Sequence, residues 1–219
     1  MSYAGKIVKK GSSGYPQLIQ NSVISRRYPQ IWIIGNLDIL DKKLLGLFCS
    51  VKCPGNVILK TYDLARKLRD AGIAVVSGFH SPIEKDCLDL LLKGTQPIAI
   101  CPARSIENMR IPKAWQKSLA ENRLLILSPF EPKHRRPTAT LAEQRNKFVA
   151  SLANKIFVAH ASEASLTERF CNEIITLGKQ INTFNFKENY RLSQSGVVKV
   201  STSALINGNL DFILEDNYE

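Results

Sequence analysis

Apolar runs alternate with amphipathic stretches along most of this chain. Five short runs are apolar without the polar alternation of a half-exposed strand, and they lie at residues 31–34, 73–76, 98–100, 124–127 and 156–159. Between them, apolar residues recur at the spacing of one helix face, as Val57, Leu64 and Leu68 do. Continuously apolar strands separated by helices are typical of a parallel sheet covered on both faces. The pattern predicts an α/β fold with a mostly parallel sheet, in which all five runs are central parallel strands.

The chain length suits one domain. A chain of 219 residues is long enough for one α/β domain with a full core and too short for two substantial ones. Residues 1–30 contain Gly11-Ser12-Ser13-Gly14 and two prolines, so we predict a basic N-terminal arm and linker there. The domain itself is predicted over residues 31–210, with an acidic C-terminal tail over residues 211–219. Helices are predicted at residues 56–70, 83–92, 112–122, 140–153 and 164–177, and a further strand at residues 181–185.

The charge distribution favours a polyanionic partner. The formal net charge is +11, and because the last nine residues hold four acidic and no basic side chains, residues 1–210 carry +15. Residues 1–37 contain five basic side chains and no acidic one. Such a balance attracts nucleic acid through counterion release and long-range steering, although a cationic surface can also serve solubility alone.

Cysteine usage and hydropathy indicate the compartment. No apolar run approaches the ~20 residues of a membrane span, and the N-terminus lacks the apolar core of a signal peptide, so we expect a soluble, cytoplasmic chain. The five cysteines are an odd, scattered set, which suits free thiols in a reducing compartment. Cys49 and Cys53 could begin a metal site, but no second ligand pair is spaced to complete it. We therefore predict neither a metal nor a cofactor.

Three short motifs follow one another along the chain. The first strand ends at Gly35-Asn36, the second leads into Ser77-Gly78-Phe79-His80-Ser81-Pro82-Ile83-Glu84, and Gln144-Arg145-Asn146-Lys147 lies near the start of a predicted helix. They resemble the glycine turn, the Ser-Gly-x-Ala-x-Gly-Ile-Asp segment and the Arg-Asn-Arg signature of the DNA-processing protein A (Smf) family. The resemblance covers about residues 31–205 and implies a single Rossmann-like domain of the wider lysine-decarboxylase-like superfamily.

The candidate site lies beyond the carboxyl ends of the predicted strands, where ligands bind in such sheets. Cations near a helix N-terminus suit phosphate groups. The basic run Lys133-His134-Arg135-Arg136, which precedes the helix predicted at residues 140–153, extends the same surface. Phe130 and Phe148 are candidates for stacking on bases. Taken singly, Gly35 and Gly78 also suit plain tight turns, and His80 suits an ordinary loop histidine. The predicted nucleic-acid-binding or phosphate-binding residues are Gly35, Asn36, Ser77, Gly78, His80, Arg104, Lys133, Arg135, Arg136, Arg145, Asn146 and Lys147.

The resemblance implies a single-stranded DNA-binding protein that acts in DNA processing and recombination without catalysis. A recombinase is the candidate protein partner, and a homodimer the candidate assembly. Two alternatives stay open: a nucleotide-sensing module, and an enzyme like the phosphoribohydrolases of the same superfamily. The chain lacks a P-loop and the Pro-Gly-Gly-x-Gly-Thr-x-x-Glu motif of those enzymes, but Glu163 and Glu168 could still supply a carboxylate. We predict no turnover of nucleoside monophosphates or triphosphates.

Overall fold

One nine-stranded sheet with helices on both faces makes up the described part of the chain. The computed structural model describes residues 5–20, 23–194, 197–201 and 210. The strands are β1 (Lys6–Lys9), β2 (Gln30–Gly35), β3 (Leu44–Cys49), β4 (Ala74–Ser77), β5 (Ile98–Ile100), β6 (Leu124–Ser128), β7 (Lys155–His160), β8 (Ile181–Phe184) and β9 (Val198–Val200). The helices are α1 (Val23–Arg27), α2 (Gly55–Asp70), α3 (Pro82–Leu91), α4 (Lys113–Ala120), α5 (Ala139–Leu152), α6 (Leu166–Thr176) and α7 (Tyr190–Gln194), with 3-10 turns at Gln17–Ile19, Leu37–Asp41 and Lys187–Asn189.

The strands follow the order β1-β2-β6-β5-β4-β3-β7-β8-β9. From β3 to β9 every paired strand is parallel to its neighbour, whereas β2 is antiparallel to both β6 and β1. The chain runs from β3 through β4 and β5 to β6, and then returns to β7 on the other side of β3. The topological switch, where open α/β sheets hold their ligands, therefore lies between β3 and β7.

Two apolar cores cover the two faces of the sheet. Because successive side chains of a strand point to opposite faces, Leu44 and Phe48 of β3 join one core while Leu45 and Leu47 join the other. The first core packs against α5 and α6, and the second against α2, α3 and α4. Burial on both sides explains why the central strands read as continuous apolar runs.

Side chains at the helix starts explain where three of the long helices begin. The hydroxyl of Ser81 accepts a hydrogen bond from the Glu84 backbone N–H, and the Glu84 carboxylate reciprocates, which forms a capping box for α3. The side chains of Thr138 and Ser165 cap α5 and α6, each by accepting one backbone N–H, without the reciprocal bond of a capping box. These caps fix the loops that lead from the sheet edge into the helices.

The α/β class and the mostly parallel sheet are confirmed. The runs at 73–76, 98–100, 124–127 and 156–159 coincide with the parallel strands β4, β5, β6 and β7. The prediction of a parallel strand at 31–34 is wrong, because Ile33 pairs with Leu127 in an antiparallel ladder. An apolar run reports burial on both faces and carries no information about strand direction. Sequence analysis also missed β3, an interior strand of the sheet that lies between β4 and β7.

The N-terminal segment differs from the predicted arm and linker. In its described part, β1 pairs with β2, and Tyr15, Ile19 and Tyr28 are buried in the core. The Tyr15 hydroxyl donates a hydrogen bond to the Tyr28 carbonyl over 2.6 Å. Residues 5–20 and 23–30 therefore pack onto the sheet. The predicted acidic tail, residues 211–219, lies outside the described residues. Within the described segments, no helix has both the length and the apolarity of a membrane span.

Candidate nucleic-acid interface

A cleft of about 390 Å³ opens at the carboxyl ends of β4 and β5. The backbone N–H of Cys101 donates to the Ser77 carbonyl over 2.9 Å, which holds the two strand ends together. The loop after β4, the loop after β5 and the helices α3, α4 and α5 each contribute walls to the cleft. Its lining includes the polar side chains of His80, Lys85, Asp89, Arg104 and Arg145 and the aromatic side chains of Phe79 and Trp115.

Arg145 forms the floor of the cleft. Its side chain is only 3% exposed, and Nη1 donates to the Cys101 carbonyl over 3.1 Å while Nε donates to the Asn146 side-chain oxygen over 2.7 Å. No described residue hydrogen-bonds to Nη2 of Arg145. A buried guanidinium carries a full positive charge at any physiological pH. The cleft therefore has a fixed cation that is held by neutral partners and keeps donor capacity for an anion.

Gly78 lets this guanidinium reach the cleft. A Cβ atom added to Gly78 would lie 1.5 Å from Nη1 of Arg145 and 1.9 Å from Cζ. Any side chain at residue 78 would occupy the space of the guanidinium. The glycine of the Ser77-Gly78 motif thus serves a close approach between backbone and cation, which is one of the uses of glycine.

The carboxylate of Glu84 braces the loop after β4. Its Oε2 accepts from the His80 N–H over 2.7 Å and from the Ser81 N–H over 3.2 Å, and its Oε1 accepts from the Cys49 N–H over 2.9 Å. Phe79, with φ of 44°, occupies the left-handed region that non-glycine residues rarely adopt. The three hydrogen bonds to Glu84 fix this loop, and they tie it to the end of the central strand β3.

His80 stands exposed at the rim of the cleft. Partial burial of the ring, followed by the nearby Arg145 charge, lowers the pKa of His80 below its ordinary value. The imidazole is therefore neutral near pH 7 and able to accept or donate a hydrogen bond. A bound anion would oppose the influence of Arg145 and favour the imidazolium.

Sequence reasoning missed most of the residues that line this cleft, among them three charged or aromatic side chains on helices. Lys85 and Asp89 extend from α3, and Trp115 extends from α4, where it is partly buried. The residues i and i+4 of a helix share a face, so the spacing of Lys85 and Asp89 after the Ser77-Gly78 motif was an available signal. Nothing in the sequence distinguished Trp115 from an ordinary core residue.

Lys147 lies away from the cleft although it is two residues from Arg145. Its ammonium group forms ion pairs with Glu173 over 2.7 Å and with Glu143 over 3.4 Å. These hydrogen bonds, led by the one to Glu173, raise the pKa of Lys147. The structure thus splits the predicted Arg145-Asn146-Lys147 unit, because Arg145 lines the cleft and Asn146 accepts its hydrogen bond, while Lys147 joins α5 to α6.

The basic run borders the cleft on a loop of its own. Lys133, Arg135 and Arg136 line an open depression of about 610 Å³ together with Thr138 and Thr140. The His134 carbonyl accepts from the Ser105 N–H over 2.8 Å, which anchors the loop to the segment after β5. Lys133 pairs with Glu131 over 2.8 Å, whereas no described acidic side chain lies within ion-pair distance of Arg135 or Arg136.

Gly35 and Asn36 lie at the opposite edge of the sheet. Because β2 is antiparallel to β6, Gly35 pairs with Leu125 near the amino end of β6, far from the strand ends that form the cleft. Gly35 has φ of +100°, and an added Cβ would come within 2.2 Å of the Leu124 carbonyl. The Asn36 amide donates to the Asn122 carbonyl over 2.9 Å. This pair is a structural turn and is not part of the cleft.

The two phenylalanines suggested for stacking are part of the core. Phe130 is 3% exposed and Phe148 is fully buried, and both rings pack edge-on against Tyr28. Neither ring can receive a base. Besides the imidazole of His80, the described lining of the cleft has two aromatic side chains: Phe79, which is buried, and Trp115, which is partly exposed.

Comparison with known proteins decides the family. The family model of DNA recombination-mediator protein A matches residues 6–216. The chain belongs to this family. No curated protein matches the sequence closely enough to add to this assignment.

Solved structures agree with the family. DNA processing protein A from Streptococcus pneumoniae has a TM-score of 0.73 at 19% identity, over 92% of this chain and 73% of that chain. DNA processing protein A from Helicobacter pylori, described for its single-stranded DNA binding mode, has a TM-score of 0.73 at 17% identity, over 96% of this chain and 99% of that chain. A molybdenum cofactor carrier protein from Chlamydomonas reinhardtii is similar at a TM-score of 0.54 and 11% identity, over 80% and 100% of the two chains. At these identities the likeness shows a common fold.

The family places the chain among DNA recombination mediators, and the hydrolase alternative is not favoured. Of the two carboxylates that it would need, Glu163 lies in the loop from β7 to α6 and Glu168 lies in the first turn of α6. Arg191 forms ion pairs with both Glu163 and Glu168, and Glu168 also accepts from the Ala164 N–H over 2.8 Å. These groups are engaged with one another at the protein surface.

Proposed function

We propose that this protein binds single-stranded DNA, without catalysis, through the cleft at the carboxyl ends of β4 and β5. The observation that carries the proposal is the buried guanidinium of Arg145, pressed against Gly78 and held by the neutral Cys101 carbonyl and the Asn146 amide. Keeping an arginine 3% exposed without a carboxylate partner is costly. An anionic ligand in the cleft supplies the missing partner, and a DNA phosphate is such an anion.

The walls of the cleft suit an unpaired nucleotide. Lys85 and Arg104 add positive charge beside Arg145, while Trp115 offers a ring on which a base can stack. Stacking requires a base that is free of its complementary strand, so the aromatic wall favours single strands over duplex. The H. pylori relative described for binding single-stranded DNA has the same fold, which supports the same choice of ligand here.

The basic loop continues the path of the strand. Arg135 and Arg136 are exposed beside Thr138 and Thr140, whose hydroxyls can donate to phosphate oxygens. Pro137, which directly follows this loop, lines the cleft itself. When one phosphate of the strand is bound at Arg145, the next phosphates therefore lie close enough to be attracted by the positive charges of Arg135 and Arg136. Contacts to phosphate and sugar without base-edge contacts imply binding with little sequence preference.

Fluorescence anisotropy with three ligands tests the proposal. A labelled single-stranded oligonucleotide, a duplex of the same length and a labelled mononucleotide are titrated at two salt concentrations. We expect tight, salt-dependent binding of the single strand and weaker binding of the duplex. Saturable mononucleotide binding with little salt dependence would instead identify a nucleotide-sensing module, and equal affinity for single strand and duplex would indicate diffuse attraction to a basic surface.

A recombinase partner and a homodimer are further parts of this proposal, and they rest on the family resemblance. Light scattering coupled to size-exclusion chromatography measures the oligomeric state directly. Co-elution of the protein with a purified recombinase, with and without single-stranded DNA, tests the partner. A monomer at micromolar concentration, or a recombinase that never co-elutes, would remove the corresponding part and leave strand binding as it stands.

A further inference from the structure

A second, smaller pocket lies at the same end of the sheet as the cleft. Trp32 of β2 pairs with Ser128, the last residue of β6, in an antiparallel ladder, so Gln30 at the start of β2 lies beyond the carboxyl end of β6. The pocket there has a volume of about 140 Å³, and we call it the β2 pocket. Its polar and aromatic side chains come from the N-terminal segment, the basic loop and α5, and they include Arg27, Gln30, Trp32, Glu131, His134 and Gln144.

The β2 pocket adjoins the depression of the basic loop, and that depression adjoins the cleft. His134 and Gln144 line both the β2 pocket and the depression. Arg136 lines the depression, and the next residue, Pro137, lines the cleft. The three concavities therefore follow one another along one end of the sheet, from the cleft to Arg27, which precedes β2.

Ring contacts and a hydrogen bond hold Arg27 at this end of the sheet. The Tyr15 hydroxyl donates to the Tyr28 carbonyl over 2.6 Å, and the Tyr28 ring packs edge-on against Phe130 and Phe148. The guanidinium of Arg27 lies over the Tyr28 ring, with Cζ 5.7 Å from the ring centroid, which is a cation–π contact. Arg27 is exposed, and no acidic side chain in the described part of the chain lies within ion-pair distance of it. Its N–H donors are therefore available to an anion.

Gln144 adds a neutral donor to the β2 pocket. Its side-chain oxygen accepts a hydrogen bond from the Tyr28 hydroxyl over 3.4 Å, while no described residue accepts one from its amide nitrogen. Among the described lining residues, Glu131 is the one acidic side chain, and its carboxylate is paired with Lys133 over 2.8 Å. The pocket thus presents a guanidinium and an amide N–H, and both kinds of donor bind phosphate oxygens.

The volumes of the two sites suit different parts of a strand. Pockets that hold whole small molecules measure roughly 300–1,000 Å³, so the cleft, at about 390 Å³, has room for one nucleotide. The β2 pocket, at about 140 Å³, falls below that range. It has room for a phosphate group but not for a base and its sugar.

We propose that the β2 pocket binds a backbone phosphate of the same single strand whose nucleotide occupies the cleft, with Arg27 as its cation. The strand then runs from the cleft past Arg135 and Arg136 to Arg27. This inference rests on the proposed function and adds a length requirement to it, because only a strand long enough to reach Arg27 gains the contact. The N-terminal segment is then part of the interface.

Fluorescence anisotropy with oligothymidylates of increasing length tests the inference. Arg27→Ala should leave the affinity for the shortest strand that binds nearly unchanged. It should weaken binding of long strands several-fold and reduce their salt slope by about 0.7, which is the loss of one phosphate contact. Arg27→Lys keeps the charge and should retain most of the affinity. Lys42→Ala removes one exposed charge at the amino end of β3, at the opposite end of the sheet, and should bind every length as the wild type does.

Chemical footprinting gives a reading that does not depend on the variants. The wild-type protein is treated with phenylglyoxal, which modifies accessible arginine side chains, and the modified residues are mapped by mass spectrometry. A long strand should protect Arg27 from modification, whereas the shortest strand that binds should leave it reactive. Equal modification of Arg27 with and without the long strand would overturn the inference.

The outcomes separate this inference from the proposed function. If Arg145→Ala weakens binding at every length while Arg27→Ala binds every length as the wild type does, the cleft stands and the β2 pocket falls. A loss in Arg27→Ala that is the same at every length, or that Lys42→Ala reproduces, would mean diffuse attraction and would also overturn the pocket. If the wild-type protein binds no strand, or Arg145→Ala keeps full affinity, the proposed function fails and the inference fails with it.

Discussion

Gly78 and Arg145 are in direct contact, so that a single methyl group on Gly78 would overlap the guanidinium, 1.5 Å from Nη1. The backbone of one strand end and the side chain of α5 thus form one unit. Gly78 is needed for space alone, whereas Gly35 at the opposite end of the sheet is needed both for its positive φ and for its close approach to the Leu124 carbonyl. Gly35 ends β2 and Gly78 directly follows β4, but Gly78 lines the cleft, where it contacts Arg145.

Gly78→Ala should weaken single-strand binding by about tenfold or more while the protein still folds. The new methyl group displaces a side chain and no backbone, so we expect a modest loss in Tm, roughly 2–4 °C for each 1 kcal/mol in a domain of this size. Circular dichroism and anisotropy measure the two effects. Gly55→Ala is the matched control, because an added Cβ there meets no atom within 4 Å. Equal binding by both variants would separate Gly78 from the site.

Arg145→Ala and Lys147→Ala should differ although both remove one positive charge from α5. Loss of a phosphate contact at Arg145 should weaken binding for every sequence and reduce the salt slope by about 0.7. Lys147→Ala should leave affinity nearly unchanged, because its ammonium group is paired with Glu143 and Glu173. Titrations at several salt concentrations distinguish the two. Similar losses from both variants would mean that charge on α5 acts only through the overall field.

The double variant Arg135→Ala, Arg136→Ala should lower the salt slope by roughly 1 to 1.5, since each lost contact to a single strand removes about 0.7 of a counterion. Its affinity should fall less than that of Gly78→Ala, because these exposed side chains lie beside the cleft and not in its floor. The double variant Lys42→Ala, Lys43→Ala removes the same charge at the amino end of β3, on the opposite edge of the sheet. An equal effect of the two double variants would argue against a defined path for the strand.

Strand binding should strengthen as the pH falls from about 7.5 to 5.5. Burial and the Arg145 charge lower the pKa of His80 in the free protein. The imidazole is therefore mostly neutral at any pH above the ordinary histidine pKa of about 6.5. A bound phosphate favours the imidazolium, and binding therefore takes up a proton. Because the pKa of His80 is lower in the folded protein than in the unfolded chain, protonation of His80 favours the unfolded chain. The contribution of His80 to the free energy of unfolding is therefore retained at high pH and is lost as the pH falls. His80→Gln should flatten the pH dependence of binding; an unchanged profile would assign it to another group.

Apolar pattern predicted the positions of most elements but not their directions. Four runs became parallel strands, whereas Ile31–Ile34 became antiparallel, since burial on both faces is the same in either direction. The run Leu44–Cys49 contains five apolar residues of six and precedes Ser50, so the central strand had a detectable signal. The sequence-based interpretation placed Gly35 at the site, whereas the antiparallel pairing of β2 with β6 puts Gly35 at the opposite end of the sheet from the cleft.

Features of the candidate site that depend on helix geometry could be predicted from the sequence, whereas contacts between residues distant in sequence could not. Residues two apart on a helix do not share a face, so the separation of Arg145 from Lys147 was available from spacing alone. The contact of Arg145 with Gly78 joins residues that are distant in sequence, and no local pattern encodes it. The three roles of Glu84, which caps α3, fixes the His80 loop and holds the end of β3, likewise depend on tertiary packing.

Purified protein should release neither free base nor inorganic phosphate from nucleoside monophosphates or triphosphates. A general acid or base must lie within hydrogen-bond reach of its substrate, but Glu163 and Glu168 are held by Arg191 at the surface between β7 and α6. Glu163 is mostly exposed there, where water competes for any bound ligand. Chromatography of the nucleotides and a phosphate assay measure turnover, with Glu163→Gln and Glu168→Gln prepared in parallel. Turnover by the wild-type protein that either substitution abolishes would restore the hydrolase interpretation, whereas turnover that survives both and co-elutes with the protein would contradict the prediction and assign catalysis to other residues.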